Sequence, residues 1–305
     1  MRSTMTMKKS RILAMAAPAA AWFLVCGAGS VLARPVDERR AAAADARITI
    51  ENVNGTITIE GWSKKEVHVT GTIGDDVEKL AVEGSDRRIR IGVELPRRSR
   101  NSRADADLHI MVPAGAEVLV DVVNCPIDVT KVEGSLELES VNGDITIAGK
   151  PSRIKASTVN GDIEVTASSN RVEVGTVNGR ILLEGVSGEV RAGTVGGSID
   201  IRGGRFDNAN FETVSGDIDF AGELQSSGHF DFEAHSGDVI LILPADVSAE
   251  FDVSTFSGDI DNDFGPQGRR TSEYGPGREL FFSTGGGKAR VSINTFSGDV
   301  RLVKK

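Results

Sequence analysis

Residues 141–183 read VNGDITIAGKPSRIKASTVNGDIEVTASSNRVEVGTVNGRILL and contain three copies of one short phrase, spaced 18 residues apart. The phrase is an aliphatic residue, a small polar residue, Gly, a polar residue and then Ile or Val. Its first copy occupies residues 141–145, and the next two begin at residues 159 and 177. A fixed period of this length is typical of a solenoid, in which each repeat buries its apolar face against its neighbours.

The phrase recurs along most of the chain. The turn glycines of its clear copies are Gly143, Gly161, Gly179, Gly197, Gly216, Gly237, Gly258 and Gly298. A degenerate copy has Cys125 in the glycine position, and an early copy occupies residues 53–57. The steps are 18 to 21 residues as far as Gly258, and the last step of 40 corresponds to two coils with an insertion. Glycine permits the turn that each coil needs, and Asn and Asp favour turns.

Apolar and polar residues alternate around each turn glycine. The positions two before, two after and four after the glycine are apolar, as at Val141, Ile145 and Ile147. The other half of each coil alternates similarly, as at Leu136 and Leu138. This period of two predicts strands, and we expect all these positions, Val141 included, to point into one core. The sequence therefore predicts an all-β fold, a parallel β-helix (β-solenoid) with about 18–21 residues per coil.

The first 33 residues have the pattern of an export signal. Basic residues precede an apolar run at residues 12–25, and small or aliphatic residues precede Ala33. This pattern predicts a signal peptide over residues 1–33, cleaved after Ala33. The run is too short for a transmembrane helix, so none is expected in the mature chain. Lipidation at Cys26 is an alternative, and either the periplasm or the cell surface and extracellular space fits export.

The remainder of the chain divides into three predicted regions. Residues 34–46 are expected to form a flexible tether, and residues 47–121 to form irregular strands that cap the solenoid. Residues 122–305 are expected to form the regular solenoid, with a Gly/Pro-rich loop insertion at residues 263–288.

Composition narrows the possible partners. Removing residues 1–33 takes away four cations and no anion, so the formal net charge changes from −9 to −13. Such a charge repels nucleic acid. Cys125 is then the single cysteine, so no intramolecular disulfide is possible, and we expect a small buried apolar side chain there.

The repeated units resemble those of a known bacterial family. The Val-Asn-Gly-Asp-Ile and Phe-Ser-Gly-Asp-Ile units, the Gly61-Trp62 pair and residues 108–115 (LHIMVPAG) are similar to DUF4097-type "putative adhesin" β-strand repeat proteins. The resemblance covers about residues 47–303. It implies a right-handed, single-stranded β-helix that is exported or linked to the surface, and it implies no catalytic residue. The chain departs from the pattern at Cys125-Pro126, Arg180 and Ser198.

One row of turn residues has metal-binding chemistry. Equivalent positions hold Asp144, Asp162, Asp217, Asp238, Asp259 and Asp299. Stacked carboxylates bind Ca²⁺ in nonapeptide β-rolls, but here each coil has one Gly-Asp, and Arg180 and Ser198 interrupt the row. We therefore favour turn-forming aspartates without a metal, expect no cofactor, and keep a Ca²⁺-stabilised β-roll as an alternative.

Other side chains are candidates for catalysis. Outward acids that could serve a polysaccharide-active enzyme are Glu164, Asp200, Asp217, Asp219 and Asp238. Their placement is repetitive, which favours a charged solvated face. No nucleophile motif accompanies the histidines, which are His68, His109, His229 and His235. His235 occupies an apolar position of its repeat, where a structural histidine is expected.

Three further sets of side chains are candidates for binding. Polar ladders along the solenoid are predicted at Asn142, Asn160 and Asn178, and at Thr158, Thr176, Thr194 and Thr213. Stacking between coils explains both ladders, and a Thr-rich face that binds a glycan is the alternative. A basic stretch contains Arg87, Arg88, Arg90, Arg97, Arg98, Arg100 and Arg103. We favour a solvated loop at residues 87–103 over a site for anionic envelope polymers.

These patterns favour a binding protein over an enzyme. We predict an exported envelope or cell-surface protein, structural or adhesin-like and without catalysis, that presents a repetitive surface to an unidentified polymer or protein. The alternatives are a polysaccharide-active enzyme, a Ca²⁺-stabilised β-roll and a self-assembling filament.

Overall fold

A computed structural model describes residues 33–94, 105–272 and 275–305, so residues 1–32 of the predicted signal peptide lie outside the described residues. Within these ranges, no helix is long and apolar enough to cross a membrane. The strands are β1 Arg34–Ala41, β2 Arg47–Trp62, β3 Glu66–Ile73, β4 Lys79–Ser85, β5 Arg88–Glu94, β6 Asp105–Pro113, β7 Glu117–Asn124, β8 Ile127–Thr130, β9 Ser135–Asn142, β10 Ile145–Gly149, β11 Arg153–Asn160, β12 Ile163–Ala167, β13 Arg171–Asn178, β14 Ile181–Glu184, β15 Gly188–Gly196, β16 Ile199–Ser215, β17 Ile218–Ser236, β18 Val239–Leu243, β19 Ala249–Ser257, β20 Ile260–Asn262, β21 Arg269–Arg270, β22 Arg278–Thr284, β23 Ala289–Ser297 and β24 Val300–Lys304.

Each middle coil consists of a longer and a shorter strand that meet at the turn glycine. The longer strand β11 pairs in parallel with β9 and β13. The shorter strand β12 pairs in parallel with β10 and β14, so that Ile163 lies between Ile145 and Ile181. Neighbouring residues on both faces are therefore 18 positions apart, and the predicted β-solenoid is confirmed.

The core takes one side chain from every second position of each strand. Ile154 and Ala156 of β11 and Ile163 and Val165 of β12 are at most 1% exposed. In-register pairing stacks each of them on the equivalent residue of the next coil. Burying an aliphatic side chain of this size stabilises the fold by about 1.5–3 kcal/mol. A single coil has no such neighbours, so stability arises from the stack.

The prediction that Val141 and its equivalents point inward is wrong. Val159 is 41% exposed, whereas Thr158 before it is buried. Strand alternation explains this, because Ile154, Ala156 and Thr158 face the core and the next residue must face outward. The turn that follows resets the alternation, and Ile163 is the next buried residue. The prediction extended the pattern of the shorter strand backwards through the turn.

The coils after Gly197 are longer and have an aromatic core. Strands β16 and β17 contain 17 and 19 residues, and their pairing shifts register after Arg202 and after Phe206. Phe220 is buried with its ring centroid 5.2 Å from that of Phe206 and 5.4 Å from that of Phe232. The added residues enlarge the coil, and phenylalanine fills the added space.

The N-terminal end is closed by strands that lie outside the first coil. Strand β2 forms this coil and pairs in parallel with β7 and β8 on its inner side. Strands β5 and β6 pair in parallel with its outer side, and β4 and β3 add antiparallel strands beyond them. The coil register therefore begins at Arg47, within the region 47–121 that was predicted to be an irregular cap.

The prediction of a flexible tether over residues 34–46 is wrong for most of its length. Residues 34–41 form β1, which pairs antiparallel with β3 along all eight residues. The Arg40 guanidinium donates hydrogen bonds to the carbonyl oxygens of Val82, at 2.9 Å, and Gly84. The charged composition therefore belongs to an edge strand, where charges and proline prevent pairing with other chains.

The C-terminal end is built in the same way. Strands β23 and β24 lie between β17 and β18 on one side and β19 and β20 on the other. Strand β22 pairs antiparallel with the outer side of β19. The insertion predicted as a loop at residues 263–288 thus contains β21 and β22. At both ends, the order of the strands in space therefore differs from their order in the sequence. Strands β5 and β6 lie outside the earlier strand β2, and β23 and β24 lie inside the earlier strands β19 and β20.

Candidate functional site

One corner of the solenoid carries an exposed side chain in each of ten coils, and this side chain is apolar in nine of them. We call this row the corner ridge; in spatial order it consists of Val53, Val123, Val141, Val159, Val177, Val195, Val214, His235, Phe296 and Phe256. Its valines are 37–49% exposed, and its phenylalanines are 50% and 56% exposed. Single exposed apolar residues are normal on a surface, whereas a continuous row marks an interaction site.

The threonine ladder lies beneath this ridge and not on the surface. Thr158, Thr176, Thr194 and Thr213 are each at most 5% exposed. Each hydroxyl donates to a glycine carbonyl of the preceding coil, as from Thr158 to Gly143 at 3.1 Å. These bonds satisfy a buried polar group at each turn. The alternative of a Thr-rich face for a glycan is therefore wrong.

The asparagine ladder lies beside the ridge and is exposed. The side-chain amide of Asn160 donates to Asn142 at 2.8 Å, and that of Asn178 donates to Asn160 at 2.9 Å. The chain of bonds continues through Asn124 to Asn54. Each internal amide both donates and accepts along the row, which is the stacking predicted from the sequence.

The turn aspartates bind backbone amides of the next coil. An oxygen of Asp144 accepts from the backbone N–H of Asp162 at 2.9 Å, and Asp162 accepts from that of Arg180 at 2.7 Å. The same bond links Asp217, Asp238, Asp299 and Asp259 in spatial order. One carboxylate oxygen of each accepting aspartate thus holds the turn of the next coil in place. In the described ranges, no three or more His, Cys, Asp or Glu side chains are arranged to hold a metal ion.

The turn glycines lie too close to the preceding coil for a side chain. A Cβ atom at Gly179 would overlap the carbonyl oxygen of Gly161, and one at Gly216 would overlap that of Gly197. This approach fixes glycine at the corner between the ridge and the aspartate row.

Four of the candidate catalytic acids lie near one another. Asp200 and Asp219 are paired across β16 and β17, and Asp217 is followed by Asp238 in the turn row. Glu164 lies two coils away from Asp200. Removal of water raises the pKa of Asp219, and repulsion from Asp200, Asp217 and Asp238 adds to the rise. Arg180 contacts Asp200 at 2.7 Å.

The histidines occupy four separate environments. His68 is buried with its Nε2 2.8 Å from Asp37 Oδ1, and His109 Nε2 lies 3.5 Å from Glu60. His229 is at the edge of a small depression in the bulged coils. His235, which was expected to be buried, is exposed on the ridge. The four are not brought together.

The arginine stretch and the cysteine have local roles. Arg88 and Arg90 lie in β5, so a solvated loop over 87–103 is wrong at its start; Arg97, Arg98, Arg100 and Arg103 lie outside the described residues. Arg90 Nε donates to Glu51 at 2.9 Å, and this bond lowers the pKa of Glu51. Cys125 is fully buried, as predicted, and burial raises the pKa of its thiol to about 11.

An aromatic stack forms the C-terminal part of the ridge and was missed in the sequence. The ring centroids of His235 and Phe296 lie 4.9 Å apart, and those of Phe296 and Phe256 lie 4.8 Å apart. The ring planes of each pair are nearly parallel, with an angle of 7° between them. Forward counting of the alternation through the longer strand, as from Phe232 and Ala234, would have placed His235 outside. A depression of about 340 Å³ borders the stack, lined by Glu212, Thr213, Val214, Glu233, Ala234, His235, Asn294, Thr295 and Phe296.

Comparison with known proteins gives a family and a set of distant structures. The family model described as Toastrack DUF4097 matches residues 41–303. A "putative lipid binding protein" from Parabacteroides distasonis is 13% identical, with 88% of this chain and 96% of that chain covered and a TM-score of 0.44. A "putative adhesin" from Bacteroides fragilis is 12% identical, with 88% and 97% covered and a TM-score of 0.41. No protein of curated function matches. With TM-scores below 0.5, these likenesses say nothing of a ligand.

Proposed function

We propose that this chain, which belongs to the Toastrack DUF4097 family, is an exported, non-catalytic binding protein of the cell envelope or surface. Its adhesin-like role is to present the corner ridge to a polymer or protein partner. The observation that carries the proposal is the ridge itself, in which nine of ten stacked coils expose an apolar side chain and the tenth exposes His235. An unpartnered row of this kind is unfavourable in water unless a partner covers it.

The chemistry around the ridge supports binding along its length. The asparagine ladder offers an amide and a carbonyl at every coil of the middle region. Coil neighbours are about 4.8 Å apart, so a partner meets the same pair of apolar and amide groups repeatedly. Weak contacts of this type become strong when several are made at once.

The predicted signal peptide supports export. The mature chain begins at Arg34 in this proposal, and its net charge of −13 opposes binding to nucleic acid. The periplasm and the outer surface are both compatible with this role.

The test is binding of labelled protein, residues 34–305, to isolated envelope fractions and glycan polymers. Saturable binding that falls about tenfold in the double variant Val159→Thr, Val177→Thr supports the proposal, because these changes replace apolar contacts on the ridge with hydroxyls. Ile242→Thr is the control, since Ile242 is similarly exposed but lies off the ridge. Binding to no fraction would refute an adhesin-like role.

A polysaccharide-active enzyme is the second candidate, on the grounds of the grouped acids. Asp219 has a raised pKa among Asp200, Asp217 and Asp238, and such a shift is a feature of catalytic acids. Release of reducing sugar from envelope glycans that disappears in Asp219→Asn but persists in Glu164→Gln would favour catalysis. Absence of turnover with every glycan tested would refute it.

A Ca²⁺-stabilised β-roll makes a separate prediction. Metal bound by the aspartate row would raise the melting temperature, and EDTA would lower it. We expect EDTA to leave the melting temperature unchanged, because the turn carboxylates already accept backbone hydrogen bonds. A fall of several degrees that Ca²⁺ restores would overturn this expectation.

A further inference from the structure

The aromatic stack replaces valine at positions where valine suffices for the fold. His235, Phe296 and Phe256 occupy the ridge position that is valine in the seven preceding coils, and the same glycine turn follows them as follows the last five of those valines. The rings face one another, so their edges point to solvent. Aromatic side chains contribute large apolar contact areas to interfaces. The turn therefore does not explain the change from valine to aromatic residues.

Acidic side chains lie on both sides of the ridge at Val214 and His235, where the stack begins. Glu212 and Glu233 are exposed on the strand side, two residues before Val214 and His235. The turn side carries Asp217, Asp238, Asp299 and Asp259. Among the described residues, cations reach only the last two aspartates of this row: Arg278 contacts Asp259 at 2.6 Å, and Arg301 lies 3.8 Å from Asp299.

The inner acids have no ion pair within the part of the chain that the structure describes. These are Glu212, Glu233, Asp217 and Asp238. Burial raises the pKa of Asp219, and repulsion from Asp200, Asp217 and Asp238 adds to the rise. The Val214 and His235 part of the row thus lies between uncompensated acids on both sides, and a cationic partner complements them.

The spacing of the coils suits a helical partner. An α-helix advances about 5.4 Å per turn, close to the coil spacing of about 4.8 Å. A helix laid along the ridge would set one apolar side chain on each coil and direct neighbouring side chains towards both acidic rows. The difference in pitch stays small over three or four coils.

We propose that Val214, His235, Phe296 and Phe256, with the acids that flank them, bind a cationic amphipathic helix of a partner protein. The proposal deepens the adhesin-like role and rests on it. A second copy of this chain is disfavoured as the occupant, because ridge-to-ridge contact would bring the acidic rows together. An anionic membrane or nucleic acid would meet the same repulsion.

The test uses a synthetic 18-residue peptide of leucine and lysine whose leucines form one helical stripe. Binding to residues 34–305, which contain every described strand, is measured by fluorescence anisotropy. We expect affinity to fall about tenfold in the double variant Phe296→Val, Phe256→Val, which restores the upstream residue and so preserves the turn. Phe281→Val is the matched control, because Phe281 is 61% exposed on β22 but lies outside the ridge.

A charge variant tests the second half of the proposal. Glu212→Gln with Glu233→Gln should also weaken binding about tenfold and flatten its dependence on salt. Glu164→Gln, an exposed acid of the middle coils, should leave affinity unchanged.

The outcomes separate this inference from the proposed function. Equal binding by a scrambled peptide without the stripe, or by the phenylalanine variant, would overturn the inference, since bulk charge alone would then explain binding. Saturable binding to envelope fractions without any binding to the peptide would also overturn it, while leaving the adhesin-like role intact. Failure to bind both would refute the two together.

Discussion

The coils around Gly161 and those around Gly237 have the same turn, but they differ in the residues that form the core and the corner ridge. In the middle coils, aliphatic residues fill an 18-residue coil, valine forms the ridge, and asparagine amides link the coils outside. In the later coils, phenylalanine fills a longer coil, and aromatic rings form the ridge. Serine replaces asparagine there.

This difference shows which features the turn requires. Glycine at the corner and the aspartate that accepts the next backbone amide occur in both regions. Core size and ridge residues differ between the two regions, so the turn does not constrain them. We infer that the later coils carry a further adaptation to a particular partner, in addition to the ridge that all coils share.

The largest expected effect comes from removing an aromatic ring from the later core. Phe220→Ala should lower the free energy of unfolding by about 3–5 kcal/mol, because its ring packs against Phe206, Phe211 and Phe232. Val165→Ala, at the equivalent position of a middle coil, should cost about 2 kcal/mol. Urea denaturation measures both. Equal losses would contradict the difference between the two cores.

The shared turn should be equally sensitive in both regions. Gly179→Ala and Gly216→Ala should each lower the free energy of unfolding by about 1–3 kcal/mol, since the added Cβ displaces a backbone carbonyl. Gly175→Ala is the control within the same coil: its nearest neighbour would be the Gly193 oxygen at 3.6 Å, and we expect a gain of about 0.4–1 kcal/mol. A tolerated Gly179→Ala would show that close approach does not define the corner.

The asparagine ladder should contribute less, and only in the middle coils. Asn160→Ala removes bonds to Asn142 and Asn178 and should cost about 0.5–1.5 kcal/mol, measured by thermal unfolding. Ser236→Ala, at the equivalent position of a later coil, should change stability by less than about 0.5 kcal/mol. A larger effect at Ser236 would reverse this part of the comparison.

Burial and acid repulsion at Asp219 should together appear as a pH dependence of stability. Because the pKa of Asp219 is raised above 3.8 in the folded protein, its protonated form favours folding. That stability is present below about pH 3.8 and is lost as pH rises through the folded-state pKa. Asp219→Asn should therefore increase the free energy of unfolding at pH 7 by less than about 0.5 kcal/mol. The melting temperature should rise accordingly, and this gain should vanish in acid. A gain that persists in acid would exclude titration as its cause.

Thiol labelling tests whether a substitution in the later coils affects opening of the early coils. Cys125 is fully buried with a pKa near 11, so a thiol reagent at pH 8 should label it only after the early coils open. Phe220→Ala should leave this rate unchanged, because each coil contacts only its neighbours. Faster labelling in that variant would show that the two regions unfold together.

The period of the turn glycines was sufficient to predict the solenoid, but not the position of every side chain. Alternation located Ile163 and Val165 correctly because they follow the turn directly. It misplaced Val159 and His235 because the turn resets the alternation and a count from the wrong side inverts inside and outside. Counting forward along the longer strand places Thr158 inside and Val159 outside. The buried Thr158 hydroxyl is compatible with this position because it donates to the carbonyl oxygen of Gly143.

The two ends could not be predicted from local pattern. Strand β1 has a polar sequence, and its conformation depends on pairing with β3. The order of β19, β23 and β17 depends on contacts about 40 to 60 residues apart, which no repeat encodes. The aromatic stack depends on that order, because Phe296 meets His235 only when β23 lies against β17.

The enclosed position of the last coil has a consequence for biogenesis. When β19 and β20 emerge during synthesis, the site they adjoin is still vacant, because β23 and β24 follow them in the chain. The later coils therefore cannot close progressively behind the emerging chain, and they close only after β23 and β24 have emerged. A chain that stops short of Ala289 would retain an open cleft with its phenylalanines uncovered, and proteases would distinguish it from a chain that includes β23 and β24.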